Sequence, residues 1–410
     1  MRIVPAAGAV LAGSLIVGLL TTPTAPVAAA PGTAVDHGAG QFSQFAAKRV
    51  LDTRTGVGGH LGLVASGHTV TFQVARTGVQ AAVLDVTVPA PAPSGSLSLY
   101  PAGTGWDGRV TMTLTGGGNI QQQLTQRLGT GGGVTIRNNG PRPVHLLVDV
   151  LGHYQGGTAG VRGMFAPAHG RVLDTRTGLG VSRAAVGAGR TVTLTVPGHG
   201  GVPAGGAVAV IANVAVLSAR STGLLTITDG DRSLATPRLR FVGRAVPQTM
   251  QTERILRLGS DGRLSFTNGS ASGVQLVVDL FGYFLRDGVE PTYPDLGYYL
   301  PESPLSVVPV VLRARRGGVV GLPGGHYQQD LATTMVLSVD RPEQATAIGA
   351  YGLLDDWSGS PVVSSSASLQ PTEITIATNA FYEVVLQNLS NTGVALHLYV
   401  TGYYWVPFGL

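Results

Sequence analysis

The sequence repeats itself three times, which restricts the chain to folds built from similar units. The octapeptide RVLDTRTG occupies residues 49–56 and recurs unchanged at residues 171–178. Downstream, an Asn is followed 14 residues later by a Gly in three places. The three pairs are Asn138 and Gly152, Asn268 and Gly282, and Asn388 and Gly402. We therefore expect three units of about 120 residues each.

The third unit departs from the pattern at its start. Residues 305–313 read LSVVPVVLR where the octapeptide is expected, and Tyr399 stands where Asp149 and Asp279 stand in the other two units. The third unit therefore does without the function of the octapeptide or achieves it differently.

Within the units, apolar and polar residues alternate over short stretches. Examples are TVTFQV at 69–74, VLDVTV at 83–88 and SLSLY at 96–100. This period of two predicts strands buried on one face, and glycine triplets at 116–118 and 131–133 supply turns. After the N-terminal segment, no stretch of 12 or more residues has helical periodicity. We predict an all-β fold of three tandem antiparallel β-sandwich modules, with about eight strands in each.

Composition agrees with a β-rich fold and excludes several kinds of site. The 410 residues include 60 Gly, 25 Pro and no Cys, and 12% are charged. Soluble domains average roughly 25% charged residues, so helical bundles with charged outer faces are disfavoured. The absence of Cys excludes disulfides, thiolate metal sites and cysteine nucleophiles.

The N-terminus fits a secretory signal peptide, with an apolar run at 3–20 and small residues, VAAA, at 27–30. The alternative is an uncleaved membrane anchor, because such a run approaches the length that spans a bilayer. We expect a protein that is secreted or at the cell surface, with no membrane contact after cleavage. The predicted segments are a signal peptide at 1–30, a flexible lead-in at 31–41, modules at 42–157 and 158–285, a linker at 286–298 and a divergent module at 299–410.

The repeated octapeptide also carries a family resemblance. Together with GVPA at 201–204 and a Val-Asp-Val/Leu-x-Gly ending, it resembles the tandem β-rich modules, opening on RVLDTR, of secreted and cell-surface actinobacterial proteins. In that family the modules are repeated alone or appended to exported hydrolases and surface proteins. The resemblance covers nearly all of the chain from about Phe42, strongly for two units and weakly for the third. It implies export and an accessory role, and it implies no catalytic residue.

The charged residues of the octapeptide have two interpretations. In a strand, Asp52 and Arg54 face one way and Arg49 the other, so Asp52 and Arg54 can form a bidentate ion pair. In the structural interpretation, Asp52 and Asp174 anchor the first strand of each module by accepting hydrogen bonds. In the functional one, they form a surface site for a sugar or a cell-wall carboxylate. The full set is Arg49, Asp52, Arg54, Arg171, Asp174 and Arg176. Asp149 and Asp279 are expected to be buried hydrogen-bond acceptors.

Charge is unequally distributed among the units. Residues 158–285 contain 13 basic and 6 acidic residues, a net +7, whereas residues 299–410 contain 4 and 8, a net −4. Arg238, Arg240 and Arg244 are therefore candidates for binding an anionic cell-wall polymer, and a merely solvated basic face is the alternative. Arg254 and Arg257 belong to the same basic set. No aromatic residues are interleaved as nucleic-acid binding requires, and the opposed charges permit self-association.

The remaining candidates are weaker. Trp357 lies among polar residues, where it can stack on a sugar ring or fold back onto its own module. The pairs Asp229 with Asp231 and Asp355 with Asp356 offer too few oxygens for Ca²⁺, and turn chemistry accounts for both. No hydrolase elbow, Walker loop or zinc motif is present. We predict a non-catalytic binding or structural protein for cell-wall polymer or polysaccharide, without metal or cofactor. The alternative is a secreted hydrolase with an unrecognised site at a module junction.

Overall fold

The structure is a computed structural model that describes thirteen stretches of the chain, within a compact unit assigned to Asp36–Leu410. The described residues are 42–76, 78–91, 95–114, 118–156, 164–229, 238–243, 250–286, 298–322, 330–339, 346–352, 363–365, 371–378 and 382–405. They confirm the all-β prediction, since they contain 24 strands and their only helix is the 3-10 turn Thr130–Gly132. Within these stretches, no helix is long and apolar enough to cross a bilayer.

Each of the three sequence repeats contributes eight strands. The first repeat has β1 (Phe42–Asp52), β2 (Thr69–Gln73), β3 (Val79–Val88), β4 (Gly95–Pro101), β5 (Met112–Leu114), β6 (Ile120–Arg127), β7 (Gly133–Asn138) and β8 (Leu147–Gln155). The second has β9 (Phe165–Asp174), β10 (Thr191–Thr195), β11 (Ala207–Leu217), β12 (Gly223–Asp229), β13 (Arg238–Phe241), β14 (Met250–Arg257), β15 (Arg263–Asn268) and β16 (Gln275–Leu285). The third has β17 (Tyr298–Leu312), β18 (Gly317–Gly321), β19 (Asp330–Val339), β20 (Thr346–Gly352), β21 (Val363–Ser365), β22 (Thr372–Ala377), β23 (Glu383–Asn388) and β24 (Val394–Trp405).

The strands form six four-stranded antiparallel sheets, two from each repeat. Their orders are β1-β8-β3-β6 and β2-β7-β4-β5, then β14-β11-β16-β9 and β10-β15-β12-β13, then β17-β24-β19-β22 and β18-β23-β20-β21. Read from β9, the order β9-β16-β11-β14 corresponds to β1-β8-β3-β6, and the other sheets correspond in the same way. The divergent third repeat therefore has the same strand order as the first two. The two sheets of each repeat enclose one apolar cluster, as the alternating pattern of strands such as β2 requires.

A fourth apolar cluster joins the three repeats to one another. It contains aromatic residues from the first and last strands of each repeat, paired across the sheet. The pairs are Phe42 with Tyr154, Phe165 with Phe284, and Tyr299 with Tyr404. The Tyr154 and Tyr404 hydroxyls also hydrogen-bond at 2.6 Å. The rings pack where all three repeats meet, so the apolar burial that holds them together is shared.

This shared centre corrects the prediction of three tandem β-sandwich modules. Modules that fold separately would leave these rings exposed to solvent, whereas here they are buried against rings of the other repeats. We therefore read the arrangement as six small four-stranded blades in one propeller-like unit rather than as three sandwich modules. Its blades differ from those of simple propellers because most consecutive strands alternate between two sheets; the exceptions are β4 with β5, β12 with β13 and β20 with β21, which pair within one sheet.

Candidate functional site

The first octapeptide forms a cluster of ion pairs at the end of β1. Asp52 is buried and accepts hydrogen bonds from the Arg54 guanidinium, at 2.9 Å from Nε and 2.7 Å from Nη2, and from the Arg54 backbone N at 3.0 Å. Arg49 bridges Asp52 at 3.0 Å and Asp149 at 2.6 Å. Hydrogen bonding to Arg54 lowers the pKa of Asp52 to about 2. Asp52 is thus fully engaged within the protein.

Simple strand alternation is wrong for this segment in one respect. It places Arg49 on the face opposite Asp52, but a bulge between Arg49 and Leu51 brings both side chains together. A bulge adds one residue to a strand and so reverses the facing of the residues beyond it.

The second octapeptide repeats the cluster. Asp174 accepts from Arg176 Nη2 at 2.7 Å and from Arg171 Nη1 at 3.3 Å, and Arg171 also bridges Asp279 at 2.8 Å. Hydrogen bonding to Arg176 lowers the pKa of Asp174. In the third repeat the corresponding pair of β17 and β24 is Val307 opposite Tyr399. The same strand order therefore forms with and without the ion pairs.

We expect Asp52→Asn to destabilise the protein by about 1–3 kcal/mol, because it removes a charge-assisted acceptor and leaves Arg54 unpaired. The free energy of urea unfolding measures the change, and Asp174→Asn is the matched variant in the second repeat. Unchanged stability together with lost cell-wall binding would instead support the functional interpretation of the octapeptide.

The predicted basic face of the second repeat is only partly described. The Arg240 guanidinium lies close to Gly118 of the first repeat. The side chain of Arg238 lies outside what the structure describes. The same is true of the whole of five other predicted residues, Arg244, Trp357, Asp231, Asp355 and Asp356. Arg257 pairs with Asp229 at 2.6 Å. Among the described residues, no group of three or more His, Cys, Asp or Glu side chains is placed to hold a metal ion.

Arg254, counted with that basic face, is buried between repeats. It is only 1% exposed, and its Nη1 lies 3.6 Å from Oδ1 of Asp85 in the first repeat. Asp85 also accepts from Gln121 Nε2 at 2.8 Å and lies opposite Asp149 in the sheet. Burial raises the pKa of Asp85 to about 6, against the opposing effect of Arg254. The interpretation of Arg254 as a surface charge is wrong.

The edge strands β6, β14 and β22 meet near this pair and are joined by side chains. On each strand, one carboxyl or carboxamide oxygen accepts a hydrogen bond from a backbone N–H of the next strand, in cyclic order. The contacts are Gln123 with Ile255 N at 2.5 Å, Glu253 with Thr375 N at 2.8 Å, and Glu373 with Thr125 N at 2.8 Å. These side chains satisfy N–H groups that a sheet edge would otherwise leave unpaired. We call this set the edge clasp.

The edge clasp favours uncharged side chains. Burial raises the pKa of Glu253 well above its usual value and that of Glu373 to about 7. The remaining member of the clasp, Gln123 in the first repeat, has a carboxamide that is uncharged at any pH. Sequence reasoning missed the clasp, although each of its members lies 15 residues before the repeated Asn.

A cavity of about 250 Å³ lies beside the clasp, between the first and third repeats. The first repeat supplies Tyr100, Asp107 and Arg109 to its wall, and the third supplies Glu373 and Thr401. The wall thus combines an aromatic ring, hydroxyl groups and side chains that can carry either charge. Small-molecule sites typically have this mixture of apolar surface and a few converging polar groups.

Trp106 lies in the loop that forms part of the cavity wall, between Gly105 and Asp107. The indole is 43% exposed, and the Arg137 guanidinium covers its ring at 4.6 Å. Its Nε1 donates to the carbonyl of Arg109 at 3.3 Å. The ring itself is not part of the cavity wall; these two contacts hold it in the loop while much of its surface remains open to solvent.

No protein-family model matches the sequence, and no curated protein matches it. Three solved structures show slight similarity. A chain in the atomic structure of Sulfolobus Turreted Icosahedral Virus has 10% identity and a TM-score of 0.17, over 83% of this chain and 84% of that one. The N-terminal tandem CBM22 domain from Paenibacillus barcinonensis has 9% identity and a TM-score of 0.17, over 61% and 96%. The major capsid protein P2 from Bacteriophage PM2 has 13% identity and a TM-score of 0.18, over 61% and 100%.

Proposed function

We propose that the chain is a non-catalytic exported protein that binds a polysaccharide or cell-wall polymer at the cell surface. The observation that carries this proposal is the exposed ring of Trp106, in the loop that supplies Gly105 and Asp107 to the wall of the cavity between the first and third repeats. An exposed amphipathic aromatic ring can pack against the apolar face of a sugar. The signal-like N-terminus and the resemblance to secreted actinobacterial modules agree with export.

The direct test is co-sedimentation of the purified chain with purified cell walls over a range of salt concentrations. If the net +7 of residues 158–285 contributes, binding will weaken between low salt and several hundred millimolar, because exposed charges are screened over roughly 8 Å at physiological ionic strength. Analytical ultracentrifugation of the protein alone separates this effect from self-association. Failure to bind walls or isolated glycans at low salt would contradict the proposal.

We expect Trp106→Ala to weaken glycan binding about tenfold or more, since truncating a Trp at the centre of a binding surface commonly has a large effect. The loss of stability should be modest, because Trp106 lies in a surface loop and is 43% exposed. Isothermal titration calorimetry measures binding, and thermal unfolding checks the fold. Leu61→Ala, at an exposed apolar residue of the same repeat, is the matched control. Equal losses in both variants would contradict a specific role for Trp106.

A second candidate is a hydrolase at this junction, favoured by one observation. Glu373, whose pKa burial raises to about 7, shares the cavity wall with the carboxylate of Asp107. A pair of carboxyl groups is the usual apparatus of glycoside hydrolysis. Both Glu373 oxygens accept from Thr125 N, at 2.8 and 3.0 Å, which favours a structural role. Turnover of a polysaccharide that Glu373→Gln abolishes would replace binding by catalysis as the function.

A further inference from the structure

Arg109 places a cation with unused hydrogen-bonding capacity in the cavity wall. A guanidinium has five N–H donors. The Arg109 guanidinium donates one hydrogen bond in the described structure, from Nη2 to the Leu99 carbonyl at 3.3 Å. Nε is buried and has no hydrogen-bond partner in the described structure. Asp107 accepts from the Arg109 backbone N rather than from the guanidinium. Within the described residues, no carboxylate lies within 4.0 Å of the guanidinium nitrogens.

The buried Nε donor is costly without an acceptor. A buried charge is stable only when it is paired and hydrogen-bonded, and burial lowers the pKa of Arg109, which indicates incomplete compensation. The ionisable groups around the cavity are Arg109, Arg127, Asp107 and Glu373. Among the described residues, the Arg109 guanidinium has no carboxylate within 4.0 Å. An anion bound in the cavity would supply the missing partner.

We propose that the cavity binds the carboxylate of an acidic sugar residue, such as a uronic acid, with the Arg109 guanidinium as its partner. This inference rests on the proposed function and specifies its ligand. A carboxylate matches the planar fork of Arg by accepting two parallel hydrogen bonds. The hydroxyl groups of a sugar find partners in Tyr100, Thr401 and Glu373 on the same wall.

The cavity volume agrees with one sugar unit rather than a long oligomer. Pockets that enclose drug-sized ligands measure roughly 300–1,000 Å³, and this cavity measures about 250 Å³. Neighbouring units of a polymer would then lie outside it, within reach of the loop that carries Trp106. The cavity would therefore select for the acidic unit, while the exposed ring contributes affinity for the chain that carries it.

The test is calorimetric titration of the whole protein with glucuronate, glucose and glucose 6-phosphate at pH 6. We expect glucuronate to bind at least about tenfold more tightly than glucose. Arg109→Gln should reduce glucuronate binding to the level of glucose, and Arg109→Lys should retain only part of the difference because it loses the bidentate fork. Arg263→Gln, at an exposed arginine, is the matched control and should leave all three affinities unchanged. Thermal unfolding verifies that each variant is folded.

Each result distinguishes the inference from the proposed function. Equal affinities of wild type for glucuronate and glucose would overturn the acidic ligand but leave glycan binding in place. Tighter binding of glucose 6-phosphate than of glucuronate would overturn the carboxylate in favour of a phosphate-bearing polymer. Glucuronate binding that survives Arg109→Gln would overturn the role of Arg109. Absence of binding to all three sugars and to cell walls would overturn both proposals.

Discussion

Arg254→Met is expected to lower the free energy of unfolding by about 3–5 kcal/mol at pH 8, because it leaves a buried carboxylate without its cation. Arg254 is 1% exposed, and its partner Asp85 is 3% exposed in another repeat. A typical native protein has a free energy of unfolding of roughly 5–15 kcal/mol, so such a loss is readily measured by urea unfolding.

The pH dependence identifies the cause. The pKa of Asp85 is raised to about 6 in the folded protein, above its unfolded value, so its contribution to stability is complete at low pH and is lost as pH rises through 6. Removing Arg254 raises this pKa further, because the cation stabilises the charged form. We therefore expect a smaller loss at pH 5, where Asp85 is already protonated, than at pH 8.

A double variant provides the control. Asp85→Asn combined with Arg254→Met removes both charges and should recover most of the stability at pH 8. Arg263→Met breaks an exposed pair with Asp261, 3.8 Å apart, and should cost no more than about 1 kcal/mol. Equal losses at both pH values, or a double variant less stable than Arg254→Met, would contradict a buried ion pair between repeats.

The parts of the fold that depend on local spacing could be predicted from the sequence. The repeated Asn is an example. Asn138 Nδ2 donates to the carbonyls of Val64 and Arg142, at 3.0 and 2.8 Å, and thereby closes a loop. Asn268 and Asn388 do the same in their repeats. These contacts join residues within one repeat, so duplication preserves them, and they survive in the divergent third repeat.

The packing between repeats could not be predicted in the same way. A side chain on Gly152 would collide with the ring of Phe42 on the next strand, and Gly282 and Gly402 meet Phe165 and Tyr299 in the same way. The sequence displays the glycines but not the reason, because the rings are buried only when all three repeats meet. The charge of Arg254 is equally visible in the sequence, yet its burial depends on Asp85, far away along the chain. Local patterns contain no information about such partners.

The edge clasp gives the second large prediction. In the folded protein the pKa of Glu373 is raised to about 7, above its unfolded value of roughly 4.3. The folded state therefore binds an extra proton between these values, and the stability from Glu373 is complete below the unfolded pKa and is lost as pH rises through 7. Glu373→Gln keeps the oxygen that accepts from Thr125 N and removes the titrating proton.

We thus expect Glu373→Gln to match wild type at pH 5 and to exceed its stability at pH 8 by on the order of 2–3 kcal/mol, after allowing for access of water through the cavity. Urea unfolding at both pH values measures the difference. Gln123, which holds the equivalent position in the first repeat and accepts from Ile255 N, indicates that a carboxamide fits the clasp. Glu253→Gln tests the second repeat and should change stability with the same sign. Asp261→Asn, which removes an exposed carboxylate outside the clasp, is the matched control. A Glu373→Gln protein that loses stability at pH 8 would mean that the clasp requires a charged carboxylate to hold the β22 and β6 edges together.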